Sequence, residues 1–476
     1  MRVLFIHRLF TLTTLGREPL GILYLAAALK KGGHEVELAD AESSGLALRK
    51  IESFRPHLLA YPIIRTGFHR FYLELNRKIQ QNHPLPTVWG GPHPTFYPEM
   101  LQEERIDYIC RGEGDEAFRE LLDRLQDNLS PDEVANFWIK KESGKIIKNP
   151  PRPLVPDLDD LPFPDRELLY RYPAWERFPV KSFIAGRGCP YNCSYCFNPP
   201  LRELYGNPGN FVRRRSVENL LCEISEVKAR YPLQFIQFED DIFPSETKWL
   251  KKFSSLYPQR IGLPFAVNAH PETIRPQMIK LLKKAGCHSV NLGLETAETE
   301  LRRRILKRKT SNERIIEACR LVKSSGIQLL LEVMLGIPGS GLEDDLATLR
   351  MAKQCRPDFS IASLFQPYPG TLFTRTKFFR ENYSSITADR LGSFHDSSPF
   401  PLPRKREVEN LRRLFSLSAS GLLPPSILEK LIRYPLRIPY SLISILAKFI
   451  YAKRRAVPVT LTLSDYILNS RRILHR

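Results

Sequence analysis

No fourth cysteine or histidine stands close to Cys189, Cys193 and Cys196; the next cysteine, Cys222, lies on a helical pattern. Zinc knuckles pair such spacing with a nearby fourth ligand, so a closed zinc site is disfavoured. The glycine-rich loops of the first 125 residues lack G-x-G-x-x-G, which argues against a dinucleotide site. Residues 1–6 form a short apolar run that breaks at His7 and Arg8, which suits a first buried strand better than a leader peptide. The apolar residues 440–451 are twelve, too few to span a bilayer. Acids are scarce: 52 Asp and Glu against 71 Lys and Arg leave a net charge of +19. Eleven of those charges fall in residues 401–476, which hold fifteen Lys or Arg and four Asp or Glu. Such a field attracts anionic partners, or is simply a solvated basic face. Eight cysteines in 476 residues, three of them clustered, suit a reducing cytoplasm rather than a disulfide scaffold.

A chain of this length divides into two or three domains. Residues 1–125 alternate strand patterns (3–6, 35–38, 57–61, 87–89, 108–110) with helical ones (20–31, 46–54, 68–81). Such alternation predicts a parallel, doubly wound sheet with its ligand site beyond the strand carboxyl ends. Gly90-Gly91-Pro92-His93-Pro94-Thr95 and Gly112-Glu113-Gly114-Asp115-Glu116 lie at those ends. Residues 131–178 are rich in proline and read as an extended linker along the surface. From residue 179, strand patterns at 182–185, 235–238, 265–268, 289–294, 329–335 and 359–364 alternate with helices at 217–230, 276–285, 312–324 and 342–354. About six such units predict a partial barrel with its site at the strand carboxyl ends. The expected domains are 1–130, a linker 131–178, 179–377, and a basic helical segment 378–476.

The loop after residues 182–185 reads Gly188-Cys189-Pro190-Tyr191-Asn192-Cys193-Ser194-Tyr195-Cys196-Phe197. Three thiolates on one short loop can hold three irons of a four-iron cubane and leave the fourth iron open. C-x-x-x-C-x-x-C with an aromatic before the last cysteine resembles the signature of the radical S-adenosylmethionine (SAM) enzymes. In that family the open iron chelates SAM, and an electron from the cluster yields a 5′-deoxyadenosyl radical. Pro19-Leu20-Gly21 and the two glycine-rich loops resemble the Rossmann-like cobalamin-binding domain that precedes the barrel in one large class of these enzymes. Asp-Leu-Pro-Phe-Pro at 160–164 resembles that class's linker. The resemblance covers residues 1 to about 375.

The resemblance implies three cofactors: a 4Fe-4S cluster on Cys189, Cys193 and Cys196, SAM, and cobalamin. It places SAM contacts at Tyr195, at Glu239, Asp240 and Asp241, at Glu295 for a ribose hydroxyl, at Gly336 and Gly339 for adenine, and at Arg304 or Arg308 for the carboxylate. For each acid the plain alternative is a strand-end cap or a surface ion pair. Cobalamin contacts are expected at Pro19, Leu20, Gly21, Gly90, Gly91, His93, Thr95, Gly112 and Glu113. No D-x-H-x-x-G loop supplies an axial histidine, and His93 in its Pro-flanked turn reads better as structural than as a metal ligand.

The expected activity is methylation of an unactivated carbon, or of phosphorus, through methylcobalamin. A cobalamin-containing cyclase or rearrangement enzyme fits the same residues, and a non-catalytic cobalamin-binding regulator is the alternative from another class. A small substrate, anionic or lipid-like, an external electron donor such as flavodoxin or ferredoxin, and no nucleic acid are expected. The helices read at 408–420, 427–433 and 440–451, followed by Lys453-Arg454-Arg455, either lie in a membrane interface at the inner face or pack as a lid over the barrel mouth.

Overall fold

A computed structural model describes residues 1–9, 17–395, 397–451 and 458–459. The basic run at 453–455 lies outside them. The first sheet is built from β1 (Arg2–His7), β2 (Glu35–Asp40), β3 (Leu58–Pro62), β4 (Thr87–Gly90) and β5 (Tyr108–Cys110), all parallel. Helices α1 (Leu20–Lys31), α2 (Ser44–Phe54) and α3 (His69–Gln80) cover it. Its strands are buried on both faces, which is why they read as apolar runs rather than alternations. The order β2-β1-β3-β4-β5 reverses between β1 and β3, and open sheets of this kind bind ligands beyond the carboxyl ends at that reversal.

The linker reading of residues 131–178 needs correction at both ends. Phe137–Lys140 (β6) and Ile146–Lys148 (β7) form a hairpin that extends the sheet antiparallel to β5. Strands of four and three residues are too short to give a clear period. Further on, Leu168, Leu169, Tyr170 and Trp175 are buried in the core of the first sheet, so this part does not run along the surface. Arg166 explains why. Its guanidinium is fully enclosed, pairs with Glu18 before α1 and with Glu223 of the second domain (2.8 Å), and donates to the Ser182 carbonyl (2.7 Å). A buried charge is tolerated when it is paired and hydrogen-bonded, as both terminal nitrogens of Arg166 are. The linker therefore locks the two sheets together.

The second sheet is a curled, all-parallel half-barrel of β8 (Val180–Phe183), β11 (Phe235–Phe238), β12 (Phe265–Ala269), β13 (Cys287–Glu295), β14 (Gln328–Leu335) and β15 (Phe359–Leu364), in the order β15-β14-β13-β12-β11-β8. Two-residue strands β9 (Gly186–Arg187) and β10 (Arg213–Arg214) pair antiparallel beside it. Outer helices run Val217–Arg230, Thr247–Arg260, Pro276–Ala285, Asn312–Ser324 and Leu342–Gln354. Ser216 and Ser311 cap two of them by accepting from the backbone N–H three residues on.

Of the C-terminal helices, Lys405–Ala419 neither caps the barrel mouth nor lies free at the surface. It lies along β15 and buries Val408, Leu411, Leu414 and Phe415 in the barrel core, covering the sheet's edge strand. The strand ends are approached instead by the segment before it, through Phe400 and Leu402.

Candidate active site

The three cysteines follow β9 in a loop that opens on Gly188. Its φ is +90°, and a Cβ there would stand 2.4 Å from the Phe211 carbonyl oxygen, so only glycine fits. Cys189 and Cys193 are buried and Cys196 is half-buried. The backbone N–H and the side-chain amide of Asn198 both point at Cys196 Sγ, at 3.5 and 3.6 Å. Ser194 donates its N–H to Leu306 and accepts from Phe373 N–H (3.0 and 2.8 Å), which fixes the loop to the barrel. Burial pushes the Cys189 thiol up to about 12 and Cys196 up to about 11. Among the described residues no three His, Cys, Asp or Glu side chains converge as they would on a single metal ion. Thiolates that ligate a cubane reach separate irons and need no such convergence.

Tyr195, between the last two cysteines, ties this loop to β13. Its hydroxyl donates to Glu295 Oε1 (2.9 Å), which also accepts from Arg308 Nη1 (3.0 Å); Arg308 Nη2 donates to the Gly293 carbonyl (2.9 Å). Glu295 sits at a register shift of β13 with φ +66°, a conformation rare outside glycine, and its carboxylate folds back over Gly293. A Cβ on Gly293 would meet Glu295 Oε1 at 2.4 Å. Strain of this kind persists where surrounding contacts impose it, here the buried ion pair with Arg308. Tyr191 stacks on His270 at the end of β12, with ring centroids 3.7 Å apart.

The other expected SAM contacts separate by direction. Asp240 points inward and accepts from Ala185 N–H (3.0 and 3.2 Å), which anchors the start of the thiol loop. Burial pushes its carboxyl up to about 7. Asp241 faces out, accepts from Asn198 (3.0 Å), and its charge reaches Cys189 and Cys196. Glu239 lies 3.5 Å from Arg17 of the first domain. Arg304 is exposed at the end of its helix and does not reach the site. Arg302 is the arginine that turns inward there, donating to the carbonyls of Thr296 and Thr310. Gly336 (φ +62°) has Leu402 Cδ1 2.6 Å from where a Cβ would be, so that face is filled by protein; Gly339 (φ +89°) has only Leu301 near, at 3.8 Å.

Gly336 N–H donates to both oxygens of Asp345, whose carboxyl is pushed up to about 8 by burial. The folded chain holds a proton here that the unfolded chain releases near the ordinary carboxylate value. Stability from this group therefore falls as pH rises from about 4 to about 8. The urea midpoint is expected to decline across that range, and Asp345→Asn, which still accepts from Gly336, to flatten the decline and be the more stable form at the alkaline end.

A cavity of about 280 Å³ lies beyond the carboxyl ends of β1, β3 and β4, lined by Phe5, Ile22, Ala60, Pro62 and Val88, and closed by Ile184 and Arg187 of the second domain. Gly21, Gly90, Gly91, Gly112 and Glu113 line it. Gly21, in the first turn of α1, has nothing within 4 Å of where a Cβ would stand. The Glu113 carboxylate is spent on Arg213 (2.5 Å) and Arg187 (3.3 Å). Pro19, Leu20, His93 and Thr95 are not on the cavity wall. Leu20 is in the core, and the Thr95 hydroxyl accepts from Gly112 N–H (3.1 Å). His93 is buried between His69 and Tyr97 with neither ring nitrogen partnered, and burial pushes it down to about 3. Burial favours its neutral form, and its neighbours are rings.

The two strand-end faces meet at the thiol loop: Phe197, directly after Cys196, stacks on Phe96 of the segment after β4, with centroids 5.0 Å apart. Sequence reading missed Asn198 and Asp345, although Asn198 stands two residues from Cys196.

A family model described as the radical SAM superfamily matches residues 183–352, and one described as the B12 binding domain matches residues 16–122. An uncharacterized methyltransferase, PH0819 of Pyrococcus horikoshii, is 30% identical over 362 residues, 74% of this chain and 77% of the relative. The anaerobic magnesium-protoporphyrin IX monomethyl ester cyclase of Rubrivivax gelatinosus is 28% identical over 78% of this chain and 68% of its own. Among solved structures, the radical SAM methyltransferase TsrM from Kitasatospora setae, with cobalamin and a [4Fe-4S] cluster bound, superimposes with a TM-score of 0.64 at 20% identity. That match covers 78% of this chain and 73% of that one.

Proposed function

The chain belongs to the radical SAM enzymes that carry an N-terminal B12-binding domain, and from that premise we propose that it methylates an unactivated carbon, or phosphorus, of a small substrate held between its two domains. The observation that carries this reading is that Arg187, two residues before Cys189, walls the strand-end cavity, while Phe197 beside Cys196 stacks on Phe96 of the first domain. When bound, the cluster supplies an electron to cleave SAM and the cobalamin supplies the transferable methyl group.

The residues fit these groups. Cys189, Cys193 and Cys196 would hold the cluster, with Asn198 donating to Cys196 Sγ as an outer-shell partner. Asp241, exposed beside two of the thiols, would accept from the SAM ammonium. Glu295 would accept from a ribose hydroxyl through Oε2, while Tyr195 and Arg308 hold Oε1 and so fix the carboxylate's direction. Gly339 would let adenine approach the backbone. The apolar cavity is too small for the whole of cobalamin and would take a planar arm of it, with Gly21 leaving the room. An external electron donor such as flavodoxin or ferredoxin is required.

A cyclase related to that of Rubrivivax gelatinosus is the second reading, since that relative aligns over most of this chain. The two part in the product. The anaerobically reconstituted protein, given SAM with a deuterated methyl group and an extract of cells lacking the protein, is expected to yield a metabolite heavier by one labelled methyl in place of hydrogen. A new product without the label would reject methylation.

A further inference from the structure

The C-terminal helices leave an apolar face outward. Helix Arg437–Tyr451 packs on helix Lys405–Ala419 through Tyr440 and Ser444, which are buried and one turn apart. On its opposite side Ile438, Leu442 and Leu446, spaced by four residues and so aligned along one face, are 73%, 59% and 56% exposed. Leu422 (76%) and Tyr434 (57%) are also exposed, in the turns that precede this helix. An aligned stripe of this kind is not scattered surface leucine; contiguous exposed apolar patches mark an interaction site.

The charges say what it meets. Residues 421–447 contain three bases, Lys430, Arg433 and Arg437, all exposed, against one acid, Glu429. A nucleic acid would use the arginines but not Ile438, Leu442 and Leu446. A second copy docked about a two-fold axis would bury this patch against itself, bringing six bases together with two acids. None of the described helices is long and apolar enough to cross a membrane. An exposed apolar face with exposed arginines at and just before the start of its helix, and a tyrosine nearby, has the composition of a helix lying in a bilayer interface.

We propose that this face is a peripheral docking surface for an anionic lipid bilayer, with Ile438, Leu442 and Leu446 inserted and Arg433 and Arg437 at the headgroups. It does not depend on the reaction proposed above.

The test is cosedimentation of the full chain, prepared anaerobically with its cofactors, with vesicles of phosphatidylethanolamine and phosphatidylglycerol, and with phosphatidylcholine alone. Binding to the anionic vesicles that weakens with salt is expected. Leu442→Gln with Leu446→Gln is expected to lower partitioning by on the order of tenfold or more. Arg433→Gln and Arg437→Gln are each expected to lower it about fivefold and to flatten the salt dependence. All four side chains are exposed or at the surface, so unfolding curves should not move. No binding at low salt, equal binding to neutral vesicles, or full binding by the double leucine variant would overturn the proposal. So would a dimer that the leucine variant dissociates in a protein that ignores vesicles.

Discussion

Cys193→Ala, reconstituted anaerobically with iron, sulfide and SAM, is expected to lose SAM cleavage by well over 100-fold. Cys189→Ala and Cys196→Ala should behave alike. The scale follows from ligand shells: losing an outer-shell partner alone costs about 10–100-fold, and these substitutions remove a ligand outright. Asn198→Ala, which removes one N–H donor to Cys196 Sγ and leaves all three thiols, should fall in that milder range. Cys222→Ala, at an exposed helix position, should change nothing. Cys193→Ala deletes one atom from a buried loop held by Ser194 and Tyr195, so the fold should persist. Cleavage measured as 5′-deoxyadenosine or as loss of SAM checks all five. Persistence of activity in Cys193→Ala would remove the cluster from this loop.

The second large effect comes from the opposite wall of the interface. Gly21→Leu should reduce cobalamin binding by more than about 100-fold while iron binding stays unchanged. Gly21 lines the cavity from the first turn of α1, and the space its Cβ would enter is open, so a leucine there fills the cavity without displacing backbone. Replacing glycine in a helix gains about 0.5–1 kcal/mol of helix propensity, so the variant should be no less stable than the parent. Loss of cobalamin from an intact, stable, iron-loaded protein is a combination that misfolding cannot give. Ordinary cobalt content in Gly21→Leu would mean that the cofactor does not use this cavity.

Much of this arrangement was legible because the same residues carry local and chemical signals. The strands of both sheets are largely apolar runs, of which β2, β4, β11, β13 and β14 end at or beside a glycine or carboxylate, and Val217–Arg230, Pro276–Ala285, Asn312–Ser324 and Leu342–Gln354 match their sequence patterns to the residue. What was not legible depends on partners distant in sequence. That Gly336 faces Leu402 is a contact across 66 positions, with no trace in the glycine's neighbours. Arg302, Arg303 and Arg304 are alike in sequence, and only the helix direction turns Arg302 inward. The role of Arg166 needs Glu18 and Glu223 from two domains. Asp240 and Asp241 lie past the end of β11, so their opposite directions are set by the turn that follows it and not by strand alternation.

The proposal that a cluster and a cobalamin share one chain is tested most directly by the metal content of a single anaerobic preparation. About four iron atoms, matching sulfide, and about one cobalt per chain are expected after reconstitution. A preparation holding zinc at the three cysteines, or iron with no cobalt when cobalamin is in excess, would contradict it.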